Sequence, residues 1–197
     1  MSGPVHPLWV LALCFIENAG IAFLAIRLLY RDSDPRLLGI VSTGVGIVGA
    51  VNFMNGIPFV PGLIVVWIIC ASYAVAVCYD VQTRRIPPLM VVPAAAVLAL
   101  IDVLRGDMNA FVTGLVIGGL FYGLSFLRTK DVKAGVGDSV LAGIAGLAFG
   151  FELGLIVVAI ACFVSAAFAY NKQGQGAIVF APYLAATVGI ALLIPGR

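Results

Sequence analysis

An all-α, polytopic bundle of membrane-crossing helices is the fold class this sequence predicts, and three observations carry it. First, 62% of the 197 residues are hydrophobic and only 10% are charged. A soluble globular domain carries roughly 25% charged residues, so this chain cannot build a water-facing surface. Second, the apolar runs are continuous, as in LIVVWIICASYAVAVCY at 63–79. Barrel strands alternate apolar and polar residues, so these runs read as spanning helices. Third, charges gather in short stretches between the runs, such as RDSDPR at 31–36 and RTKDVK at 128–133.

About eight spans follow, at roughly 8–29, 37–53, 62–79, 88–104, 110–127, 139–150, 153–170 and 177–195, with six or seven if shorter runs merge. The first closes at RDSDPR and holds one internal acid, Glu17. The second contains GIVSTGVGIVGA and the fifth GLVIGGLFYG, whose small residues let helices approach closely in lipid. The third ends at Asp80. The fourth closes on Asp102 and Arg105, an i,i+3 pair. The sixth opens at Asp138. A turn at Glu152 separates the sixth from the seventh, because one helix of roughly 30 residues at 1.5 Å each would overshoot the bilayer. The eighth opens with VFAPYLA at 179–185. One integral membrane domain over residues 1–197 is the simplest organisation.

Basic residues orient this scheme. Arg27, Arg31, Arg36, Arg84, Arg85, Arg128, Lys130, Lys133 and Lys172 fall on one side, and only Arg105 and Arg197 on the other. Basic loops stay cytoplasmic, so Asp80 and Asp138 belong at the cytoplasmic face of the cell membrane. The start of the chain does not read as a cleavable signal, since no Lys or Arg precedes a first run that is too long for one. Cys14, Cys70, Cys78 and Cys162 all sit in apolar runs and form no C-x-x-C; His6 is the only histidine. No metal site is expected, nor any cofactor or nucleic-acid partner.

The nine acids separate by position. Asp32 and Asp34 are loop charges among arginines. Asp107 lies in the turn RGDMN, Asp131 in a basic loop and Glu152 in a tight turn. Glu17 falls near the middle of a span, where a charge costs a few kcal/mol on insertion scales, and it is a secondary candidate. Asp80 and Asp138 each stand at a boundary between membrane and water. Alone, Asp138 reads as a cap for a helix starting at Ser139. Together, two carboxylates brought close would share one proton. The ionised one draws a proton from water, and the protonated one donates to a peptide carbonyl. That is aspartic peptide hydrolysis, and the pair would titrate as a unit. Gly135 and Gly137 carry no Cβ, so a substrate strand could pass close by. A helix N-terminus favours the anionic form of Asp138.

Asp80 followed by Ile86-Pro87, together with Gly135-Val136-Gly137-Asp138, resembles the type IV prepilin leader peptidases, the GxGD membrane aspartyl proteases. YDVQTRRIPPLMVVP and AGVGDSVLAGIAGLAFG fill the family's two slots in order. VFAPYLA, with Phe180 and Pro182, resembles its Pro-Phe-x-Pro-like third element. The resemblance covers roughly residues 62–195. It implies an aspartic endopeptidase with Asp80 and Asp138 catalytic, acting on pilin-like precursors with a basic leader before a hydrophobic helix. The cut would fall at the cytoplasmic membrane face, with the bilayer positioning the substrate. No oligomeric state is implied. Two departures stand out. The family commonly has a lysine two residues after the GxGD aspartate, where this chain has Val140. The cytoplasmic insertion with paired C-x-x-C motifs, linked to N-methylation, is missing, which implies cleavage without methylation.

Two other readings compete. Tyr79-Asp80 and GVGD also resemble presenilin and signal-peptide-peptidase motifs, although Ile86-Pro87 and the short chain favour the prepilin enzymes. A small proton-coupled transporter could relay protons through Glu17 and the boundary acids, but it should show related half-repeats with broken helices, and none is evident.

Overall fold

The computed structural model describes residues 8–30, 32–54, 62–127, 135–171 and 179–193. Among these residues lie seven helical elements and no strand. They are α1 (Leu8–Leu29), α2 (Pro35–Met54), α3 (Gly62–Thr83), α4 (Pro88–Leu104), α5 (Met108–Leu127), α6 (Val136–Asn171) and α7 (Ala181–Leu192). α1, α2, α3 and α6 are long and apolar enough to cross a membrane. α4 and α7 are apolar but shorter. Among the described residues the secondary structure is all helical, with the long apolar helices that suggest a membrane protein.

The apolar runs place α1 and α4 where the structure has them. α3 runs past Asp80 to Thr83, because the Asp80 carbonyl still accepts a helical hydrogen bond from the Arg84 N–H at 2.8 Å. α6 begins at Val136, three residues before the expected start at Ser139. Seven elements are numbered because the runs expected at 139–150 and 153–170 share α6, which is two helices joined end to end. That element is folded at Gly150, whose φ of 73° and ψ of −176° lie outside helical space. A Cβ on Gly154 would lie 3.0 Å from the Gly146 Cα. In a straight helix these two residues would be about 12 Å apart. The arms 136–149 and 151–171 therefore lie side by side. The reversal falls at Gly150 instead of Glu152 because a positive φ there is open to glycine and strained for any side chain.

α3 is the central helix: 61% of its most apolar stretch is buried, against 22% in α1 and 28% in α2. It packs on α1, α2, α4 and α7, and touches α6 only briefly. The main core joins α3, α4, the two arms of α6 and α7 through Ile69, Tyr73, Val91, Leu141, Ile144 and Leu184. A second cluster joins α1 and α2 to α3 through Ile26, Leu38 and Val75. α5 runs antiparallel to the first arm of α6, with Gly118 against Ser139 and Gly143, and Gly114 against Gly143 and Leu147. These are the glycines that the sequence marks for close helix packing.

This arrangement gives the bundle two ends. The Tyr30 and Tyr79 rings meet with centroids 4.5 Å apart, which brings the C-terminal ends of α1 and α3 together. α2, α4, α6 and α7 start at that same end. Of the basic residues that orient the chain in the sequence, Arg27, Arg36, Arg84 and Arg85 are exposed at or near this end. Arg105 closes α4 at the other. Arg31, Arg128, Lys130, Lys133, Lys172 and Arg197 lie outside the described residues, as do His6 and Asp131.

Candidate active site

Asp80 lies one turn before the end of α3 and is 3% exposed. Its Oδ2 accepts hydrogen bonds from the backbone N–H groups of Phe180, at 2.8 Å, and Ala181, at 2.9 Å. These two residues open α7. The first amides of a helix have no partner within it, and α7 resolves this with its own sequence. Pro182, in its first turn, removes one donor outright. Asp80 takes the two amides immediately before it. The VFAPYLA stretch thus delivers backbone, not side-chain, groups to Asp80. The Phe180 ring is buried and stacks on Phe121 with centroids 5.0 Å apart, which fixes where those amides point. Pro182 is half-buried.

Asp138 is half-buried, in the first turn of α6. The sequence reads it as the residue before the helix, yet it is the third residue within it. Its Oδ2 accepts the backbone N–H of Gly135 at 3.0 Å. A third-position acid reaching back to the N–H before the helix is half of a capping box. Both carboxylates therefore bind amides at a helix N-terminus, so the helix-dipole argument made for Asp138 holds for Asp80 too. Asp138 is within electrostatic reach of Asp80.

The loop between α3 and α4 joins the two acids. Ile86 is buried, and its carbonyl and side chain lie where a Cβ on Gly137 would be. Ile86 Cβ and Cγ2 would stand 2.7 and 2.8 Å from that atom. Only glycine at 137 admits this contact. Pro87 follows with φ −64° and caps α4. At the other side of Ile86, the Thr83 hydroxyl donates to the carbonyls of Tyr79, at 2.9 Å, and Arg85, at 3.0 Å. Arg84 turns the chain there at φ 56°, an uncommon conformation for a residue with a Cβ. Gly135, 3.7 Å by its virtual Cβ from Asp138 Oδ2, keeps the approach to that carboxylate open.

Of the sequence-predicted residues, Asp80, Asp138, Gly135, Gly137, Ile86, Pro87, Phe180 and Pro182 thus gather at one end of the bundle. Glu17 does not join them. It is half-buried on α1, 13 residues before Tyr30, or about 20 Å along the helix axis from that end. Val140, where the resemblance leads one to expect lysine, packs partly buried against the main core. Sequence reasoning passed over Tyr73, whose hydroxyl donates to the Leu141 carbonyl at 2.7 Å. Its place about two turns before Asp80, on the same face of α3, was the available signal. Among the described residues no group of three or more His, Cys, Asp or Glu is gathered as metal ligands would be.

No curated protein and no solved structure matches the chain. A family model, the type IV leader peptidase family, matches residues 67–170. Those residues include Asp80, the Ile86-Pro87 loop and Gly135 to Asp138, and they make up more than half of the chain. The protein is a peptidase of the type IV leader peptidase family.

Proposed function

We propose that this protein is a membrane aspartic endopeptidase that removes the leader from type IV pilin-like precursors at the cytoplasmic face of the cell membrane. Asp80 and Asp138 are its catalytic pair. One is ionised and takes a proton from the attacking water; the other is protonated and donates to the carbonyl oxygen of the scissile bond. The titration belongs to the pair as a whole. The single observation that carries this reading is the convergence on Asp80 and Asp138 of three separate stretches, IPP, GVGD and VFAPYLA, through the Ile86–Gly137 contact and the α7 amides.

The substrate's hydrophobic helix lies in the bilayer, which holds the scissile bond at the depth of the two carboxylates and supplies orientation. Its basic leader stays in the cytoplasm, on the side where Arg84 and Arg85 meet lipid head groups. The test is co-expression with a pilin-like precursor. The wild type is expected to shorten the precursor by its leader, and Asp80→Asn and Asp138→Asn to leave it intact. A mature product from either variant would reject the assignment.

A further inference from the structure

The apolar groove lined by Ile64, Ile101, Leu104 and Arg105 has nothing beside it that selects an occupant. The unpaired Oδ1 atoms of Asn18 and Asn52 lie within the helix packing. Tyr73 carries more. It is 3% exposed, and a buried phenol needs a partner for its hydroxyl. Ser72, Thr83, Ser165 and Thr187 find theirs on carbonyls at or beside their own helix. Tyr73 instead crosses to α6, 68 residues away, and bonds the Leu141 carbonyl at 2.7 Å. The backbones of α3 and α6 approach at few points, and this bond is a directional link between them.

Position gives the bond its consequence. Tyr73 lies seven residues before Asp80 on α3, and Leu141 three residues after Asp138 on α6. Seven residues are about two turns, and three are just under one. The phenol therefore bonds one aspartate-bearing helix to the other, about two turns from Asp80 and about one from Asp138. We infer that Tyr73 is a positioning residue whose hydrogen bond to Leu141 sets the separation of Asp80 and Asp138. This rests on the pair being catalytic, as proposed above. Tyr73 touches neither acid and no reacting atom; it acts through the distance between helices. A misplacement of about 1 Å in reacting groups can cost up to 10²-fold in rate, so a single tether at this place matters.

The experiment uses the full chain in lipid nanodiscs and has two readouts. The first is cleavage of a pilin-like precursor by the wild type and by Tyr73→Phe, which keeps the ring and removes only the hydroxyl. The expected result is a kcat lower by about tenfold or more with KM within about twofold. The second needs no catalysis. Asp80→Cys and Asp138→Cys are combined, with and without Tyr73→Phe, and the rate of disulfide formation between positions 80 and 138 is followed by peptide mass spectrometry, which distinguishes it from products of the four native cysteines. Tyr73→Phe is expected to change that rate several-fold. An unchanged cross-linking rate, or a kcat equal to the wild type's, overturns the inference. A wild-type protein that fails to cleave while cross-linking still responds to Tyr73→Phe strikes the protease reading and leaves the tether standing.

Discussion

The α1–α2 pair and the body around α3, α6 and α7 both bury polar side chains, but in the body two of them also bond across to another helix. Asn18 and Asn52, each 1% exposed, donate to carbonyls one turn back on their own helices, at 2.8 and 2.9 Å. Their Oδ1 atoms have no partner among the described residues. Asp80 and Tyr73 are buried to a similar degree, yet each bonds the backbone of another helix. A hydrogen bond within one helix says nothing about where its neighbour sits; a bond between helices fixes the neighbour's depth and distance. The α1–α2 pair holds its register by packing, with Gly46 against Phe15 and Gly49 against Asn18. The body adds directional bonds at the end that holds Asp80 and Asp138.

Glycine substitutions sharpen this contrast most. Gly137→Ala drives a methyl group into the Ile86 carbonyl, which is backbone and cannot rotate away. A stability loss of about 1–3 kcal/mol is expected from overpacking, together with a fall in cleavage rate of about 10²-fold as Asp138 shifts relative to Asp80. Gly49→Ala meets the Asn18 side chain and should cost a similar amount in stability while cleavage of a pilin-like precursor stays near the wild-type rate. Thermal melts and initial rates on the two variants separate the roles. Equal losses of activity would erase the distinction between the two regions.

The next effect is read in stability. Asp80→Leu strands two buried amides at the start of α7, at about 1–3 kcal/mol for each unsatisfied group, and should lower the unfolding free energy by roughly 2–4 kcal/mol. Asn52→Leu removes a buried acceptor that already lacks a partner, so its effect should stay below about 1 kcal/mol. Denaturant unfolding in detergent measures both. The smallest expected change is at Arg84. Its φ of 56° costs about 1–2 kcal/mol for a residue with a Cβ, and glycine's greater chain entropy offsets part of the relief. Arg84→Gly should raise stability by about 0.5–1 kcal/mol with cleavage unchanged, read as a modest rise in melting temperature.

Much of this architecture is legible in the sequence, because insertion in a bilayer makes apolar length a direct signal. α1 and α4 fall on their apolar runs, and the loop carrying Ile86-Pro87 and the helix start at Gly135 to Asp138 are read from their motifs. What escaped depends on contacts between helices. The reversal at Gly150 needs a dihedral angle, so the acid Glu152 two residues later was the more visible marker. The grip of α7 on Asp80 comes from backbone amides, which have no letter in the sequence; only Pro182 hints that the helix start is special. The Ile86–Gly137 contact joins two motifs that sequence presents as separate. Glu17 attracts notice as an acid within a span, yet its distance from the site along α1 becomes clear only once Tyr30 is set against Tyr79.

The most direct test of the central claim is the initial rate of leader release from a pilin-like precursor by purified protein in lipid nanodiscs. Wild type, Asp80→Asn and Asp138→Asn would be compared at equal folded fraction. Two carboxylates working as one unit predict that each variant is slower by at least about 10³-fold, with helicity and melting close to the wild type's. A rate within tenfold of wild type for either variant would contradict the shared-proton pair.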